Sequence, residues 1–172
     1  MAEPSPPRYS DIQAAAHQAA AQILRSGGGL AAAARAAIDA ADAFMARIIG
    51  AVGLDEQMAA IQCGAGCYHC CHQMVGITSA ELALARDAID ALPEPVRGQT
   101  RARIADIAER GKGLDQAGWW QARLRCPLLD ADGRCLIHAA RPLPCRAMNS
   151  SSAETCRRSY AGERLQVPIL AA

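Results

Sequence analysis

From Ser10 to Ile49, apolar residues return with the period of a helix in two successive stretches. Ser10 with Gln13 has capping-box spacing and predicts a helix from about Asp11 to Arg25, closed by Gly27, Gly28 and Gly29. A second helix is predicted from Leu30 to about Ile49. Leu30, Ala34, Ala37, Ile38, Ala41, Phe44, Met45 and Ile48 fall near one face of it. Two such alanine-rich helices form either a hairpin or a surface for a partner. A short helix is expected over 54–61. Residues 1–9, rich in proline, read as a loose tail.

Beyond Gln62 the periodicity lapses. The stretch 63–76 is rich in Gly, Cys and His and is expected to be an irregular loop. Thr78 with Glu81 is a second capping box, opening a helix to about Leu92. Pro93 and Pro95 break it, Val96 to Arg110 forms another helix, and Gly111 and Gly113 close that one. Trp119 and Trp120 are expected to begin a short helical turn. Residues 126–137 read as a small β-hairpin with Gly133 taking the turn. His138 to Arg141 is predicted as one helical turn, stopped by Pro142 and Pro144. From Ser150 a tail carries Cys156 and ends apolar at Val167, Pro168, Ile169 and Leu170. No internal repeat is visible. The expected fold class is mainly α: a small helical domain with a short β-hairpin, organised around a cysteine-rich metal site. The expected organisation is a Pro-rich tail (1–9), an alanine-rich helical arm (10–62), a cysteine-cluster domain (63–160) and a C-terminal tail (161–172).

Composition changes the picture at the core. The chain has 39 alanines but only 31 Val, Ile, Leu and Phe residues together, so each buried side chain is small. Burial yields about 25 cal/mol per Å², and such a core calls for another source of stability. The eight cysteines are candidates for it. A formal net charge of +1 gives no general electrostatic reason to bind nucleic acid or an anionic membrane. No stretch approaches the ~18 apolar residues of a membrane span. The N-terminus lacks the basic region and apolar core of a secretory signal. The expected compartment is therefore the cytoplasm, where thiols stay reduced. Cysteines there read as metal ligands or redox groups before they read as disulfides.

The first cysteine group is Cys63, Cys67, Cys70 and Cys71, in the pattern C-x3-C-x2-C-C. Several thiolates must converge to hold an ion, and a Gly-rich loop lets the backbone wrap around it. Cys70 and Cys71, being adjacent, cannot easily both ligate one tetrahedral ion. The second group is Cys126, Cys135, Cys145 and Cys156, separated by 8, 9 and 10 residues, too wide for a single knuckle. Eight thiols allow two four-thiolate sites, or one site and a redox pair. Four thiolates suit zinc and suit an iron–sulfur cluster equally.

These motifs resemble the YkgJ-type cysteine-cluster family. The likeness runs through 63–71, Thr78 with Glu81, Cys126-Pro-Leu-Leu, Gly133-Arg-Cys135-Leu-Ile-His138 and Arg141-Pro-Leu-Pro-Cys145-Arg146. Ile77 and His138 depart from the family's Leu and Tyr, and neither is a cysteine. The resemblance covers about 63–146, with Cys156 matching a less regular downstream cysteine. It implies zinc or iron chelation, in some members as an iron–sulfur cluster, with all eight cysteines as candidate ligands.

His69 and His72 flank the first group and are expected to hydrogen-bond near the thiolates. Arg141 and Arg146 bracket Cys145 and either neutralise thiolate charge or lie on the surface. Glu81 is expected to cap its helix, His138 to pack or cap a turn, and His17 to be exposed. Asp130 and Asp132 mark a turn, because the other positions of a calcium loop are missing. Trp119 and Trp120 are expected to anchor the core. No Walker loop, dinucleotide fingerprint, nucleophile elbow or HExxH motif is present, and no catalytic residue is assigned. The leading reading is a metal-binding protein that is non-enzymatic or not demonstrably enzymatic. One alternative is an iron–sulfur redox or metal-maturation protein whose partner docks on helices 11–49. The other is a thiol–disulfide switch at Cys67 and Cys70, which lacks the preceding βαβ pattern of thioredoxin-like proteins.

Overall fold

The computed structural model describes residues 8–169. The expected Pro-rich tail lies almost wholly outside them. The chain divides into two compact units: residues up to 60 with 78–84, and residues 61–77 with 85 onward.

In the first unit, helix α1 (Tyr9–Arg25) and helix α2 (Leu30–Val52) pack against each other as a hairpin. Helix α1 starts two residues before the expected position. The main-chain N–H of Arg8 donates to the Asp11 carboxylate at 2.8 Å, so Asp11 does the work foreseen for Gln13. Gly27, at φ 82°, turns the chain out of α1. The buried stripe of α2 is Ala33, Ala34, Ile38 and Ala41, whereas Leu30, assigned to that face, is exposed. Side chains this small let two helix backbones approach closely. Helix α3 (Asp55–Ala59) follows.

Helix α4 (Ser79–Asp90) carries the second capping box as read. The Thr78 N–H donates to Glu81 at 2.8 Å, and the Glu81 N–H donates back to the Thr78 hydroxyl at 3.2 Å. Glu81 is buried, its carboxylate accepting from both the N–H and the hydroxyl of Thr78.

The second unit contains helix α5 (Val96–Arg110), helix α6 (Gln116–Gln121), helix α7 (Leu143–Ala147) and helix α8 (Ala153–Tyr160). Trp119 and Trp120 sit inside α6, because Asp115 accepts from the Gly118 N–H at 2.7 Å and starts the helix earlier. The segment 126–137 closes as a tight turn. Its one antiparallel bridge joins Leu129 and Cys135, and the described residues contain no longer strand. Gly133, at φ 77°, makes that turn. Two helices are absent from the sequence reading. Pro144, expected as a stop, lies in the first turn of α7, where its missing N–H costs nothing. Ser152 starts α8 by accepting from the Thr155 N–H at 3.1 Å, so Cys156 stands on a helix and not on a loose tail. The buried apolar side chains of this unit include Ile89, Ile107, Leu124, Leu129 and Ile137.

No helix among the described residues is long and apolar enough to cross a membrane.

Candidate metal centre

The loop 63–76 is irregular apart from one tight 3-10 turn, His69–His72. All eight cysteines are free thiols, and each is partly exposed. The backbone prepares several of the sulfurs for negative charge. Three times, the N–H two residues downstream points back at a cysteine sulfur: His69 to Cys67, Leu128 to Cys126 and Ile137 to Cys135. A fourth donor arrives from far along the chain, the Ser150 N–H at 3.2 Å from the Cys63 sulfur. Such N–H groups favour thiolate over thiol.

The thiols fall into two groups by the charges they exert on each other. Cys67 feels Cys63, Cys70 and Cys156. Cys71 feels Cys70, Cys126 and Cys135, and Cys145 feels Cys126, Cys135 and Cys70. Cys70 stands between the groups. Its sulfur takes a hydrogen bond from the Cys71 thiol, which lowers its pKa and raises that of Cys71. Burial pushes the Cys126 and Cys135 thiols up, and Cys145 up to about 11. Main-chain bonds fix these neighbourhoods. The Cys126 N–H donates to the Cys71 carbonyl at 2.8 Å, and the Gln62 N–H donates to the Ser150 carbonyl at 2.9 Å.

One group borders a cleft of about 330 Å³. Cys63, Cys67, Cys70 and Cys156 line it, together with His69. Trp120, Met148, Val167 and Ile169 give it apolar walls, and Gln73, Gln116, Ser150 and Ser159 its polar points. The described residues lining it include no Lys, Arg, Asp or Glu. Cys71, Cys126, Cys135 and Cys145 are not on its wall.

The flanking histidines have different surroundings. The His72 ring is buried, with Nδ1 3.2 Å from the Tyr68 carbonyl and Nε2 3.2 Å from the Tyr160 hydroxyl. A carbonyl only accepts, so Nδ1 carries the proton and Tyr160 donates to Nε2. Burial keeps the ring neutral by lowering its pKa. His72 therefore ties the 3-10 turn to α8. In contrast, the His69 Nδ1 is buried without a hydrogen-bond partner.

Of the two arginines, Arg141 adds to the lowering at Cys70 and partly offsets the rise that burial causes at Cys135 and Cys145, and its Nε is buried without a hydrogen-bond partner. Arg146 donates to the carbonyls of Arg141 and Ala139 at 3.0 and 2.9 Å, bracing the turn before Cys145. His17 and His138 are exposed. Asp130 accepts from the Arg134 N–H at 2.8 Å, as a turn residue does. Sequence reasoning did not single out Ser150, Met148 or Tyr160. Tyr160 had a signal, since it follows Cys156 by four residues on one helix face. Ser150 had none, because its main-chain N–H acts and any residue but proline supplies one.

The donor set fits a thiophilic ion: free thiols, N–H groups aimed at sulfur and an arginine for the excess charge. Among the described residues no three Cys, His, Asp or Glu groups yet stand close enough to enclose an ion, so the thiols must draw inward to do so.

Eight free thiols, carried by the 63–76 loop, the 126–137 turn, α7 and α8, define the class as a cysteine-cluster domain. Residues 62–162 match the CxxCxxCC family, described as a "putative zinc- or iron-chelating domain", and the chain belongs to that family. No curated protein and no solved structure matches it.

Proposed function

We propose that the chain binds zinc or iron through its cysteine thiolates in two separate centres and acts through that metal without an enzymatic active site of its own. One centre draws on Cys63, Cys67 and Cys156. The other draws on Cys71, Cys126, Cys135 and Cys145. Cys70 lies between them. The observation that supports this most is eight free thiols within the matched family domain, several with a main-chain N–H pointed at the sulfur. Arg141 offsets charge at the second centre, and His72 braces the loop of the first.

A bound ion would link segments far apart in sequence and so supply stability that the alanine-rich core lacks. The same thiolates would also suit an iron–sulfur cluster, which would add redox chemistry or cluster delivery to a protein partner. Metal and acid-labile sulfide content, with a visible spectrum, on protein purified without oxygen tests both. Zinc without colour supports the chelating centre. Iron with sulfide and a band bleached by dithionite supports the cluster. Absence of zinc and iron, even after anaerobic reconstitution, overturns the proposal.

A further inference from the structure

Four thiols share one cleft, and the segment beyond α8 reaches it. Cys63, Cys67, Cys70 and Cys156 all line the 330 Å³ space, and Val167 and Ile169 line it with them. Val167 and Ile169 stand two residues apart, the spacing at which side chains of a bridged segment share a face.

The root of that segment is firm and its tip is not. Helix α8 ends at Tyr160. The Glu163 N–H donates to the Arg158 carbonyl at 3.1 Å, and the Glu163 carboxylate accepts from the Arg158 Nε at 3.0 Å. No residue from Glu163 to Ile169 is buried, and Ile169 is 40 % exposed. Among the described residues the tip has one main-chain hydrogen bond, from the Ser151 N–H to the Pro168 carbonyl at 3.3 Å, beside the Ser150–Ile169 bridge. Pro168 has no N–H to give in return. A segment with so few buried contacts opens locally while the rest stays folded.

The stretch it rests on also holds a thiol. Ser150 turns its main chain away from the segment. Its N–H donates to the Cys63 sulfur at 3.2 Å, and its carbonyl accepts from the Gln62 N–H at 2.9 Å. Successive residues of an antiparallel pair bond to opposite sides in this way. Residues 150–151 therefore carry the Cys63 loop on one edge and the segment 167–169 on the other. The segment can leave its edge without breaking the bonds that place Cys63.

We propose that residues 163–169 are a strap over the cleft, rooted on α8, whose opening admits an incoming ion or small molecule to Cys63, Cys67, Cys70 and Cys156. Cys71, Cys126, Cys135 and Cys145 are off that wall and outside its control. What the strap admits rests on the metal-binding reading above; its movement does not.

The test uses the full, reduced, metal-free chain and pulses of N-ethylmaleimide, with the modification rate of each cysteine read by peptide mass spectrometry. Val167→Ser combined with Ile169→Ser should speed the four cleft thiols by about tenfold, through a shift in the local opening equilibrium, and leave the other four unchanged. Ile169→Ala, a smaller change, should give the same pattern at lower amplitude. Cleft thiols that react no faster in either variant overturn the strap. Equal acceleration of all eight thiols in Ile169→Ala overturns it too, because loosening of the whole unit then explains the rates. The assay contains no metal, so failure of the strap and failure of the metal-binding reading are told apart.

Discussion

Gly133 shows how much one residue can fix. It holds φ 77°, and a Cβ built on it would stand 2.7 Å from the Tyr68 ring and 3.2 Å from the Gly66 carbonyl. Gly133→Ala therefore adds backbone strain and a clash together, and should lower stability by about 1–3 kcal/mol in a thermal melt. Tyr68 lies in the loop between Cys67 and Cys70, so the same variant should weaken metal binding in a competition titration. The cysteines can be predicted singly as well. Cys67→Ser should lower metal content and melting temperature together, because a bound ion would add a link between the 63–76 loop and segments far along the chain. Full occupancy with an unchanged melt would contradict that. At this scale the sequence was legible where a residue type carries the chemistry, as with the cysteines and Gly133. It was silent where the main chain acts, as at Ser150.

At the scale of elements, α8 matters most, since it presents both Cys156 and Tyr160. Its start depends on Ser152, whose hydroxyl accepts from the Thr155 N–H. Ser152→Ala should cost about 1 kcal/mol of stability. It should also reduce occupancy of the cleft-side centre more than that of the other, measured with cobalt as a site-resolved probe. The exposed Glu154–Arg157 pair on the same helix, at 2.6 Å, should matter little, since water and salt screen an exposed ion pair. Capping boxes and proline punctuation placed α4 and α5 almost to the residue. Helix α7 escaped because prolines read as stops can equally occupy a first helical turn. The turn over 126–137 was recognised from Gly133, but only one bridge forms there, since the chain leaves at once for the 3-10 turn of His138–Ala140.

For the whole molecule, the buried thiols link pH to both metal and stability. A thiol must lose its proton to ligate, so metal affinity should fall as pH is lowered, with protons released on binding detectable in weakly buffered solution. The metal-free protein should behave oppositely at high pH. Cys145 is raised from 9.0 to about 11 by burial. Between those values the unfolded chain has lost its proton and the folded one has kept it, so stability should decline as pH rises through that window. Below 9.0 the group is neutral in both states and contributes no pH dependence. Chemical denaturation of the metal-free chain at successive pH values checks the sign.

The sequence by itself determined the helical character, most element boundaries and the family, because caps, breakers and the spacing C-x3-C-x2-C-C act over a few residues. Only the tertiary structure decided which thiols border the cleft and which main-chain groups reach them. Cys67 feels the charge of Cys156, the Cys71 carbonyl accepts from the Cys126 N–H, and the Cys63 sulfur accepts from the Ser150 N–H across long stretches of chain. Local spacing carries no record of such neighbours. They are set by how the intervening helices and turns bring the chain back on itself.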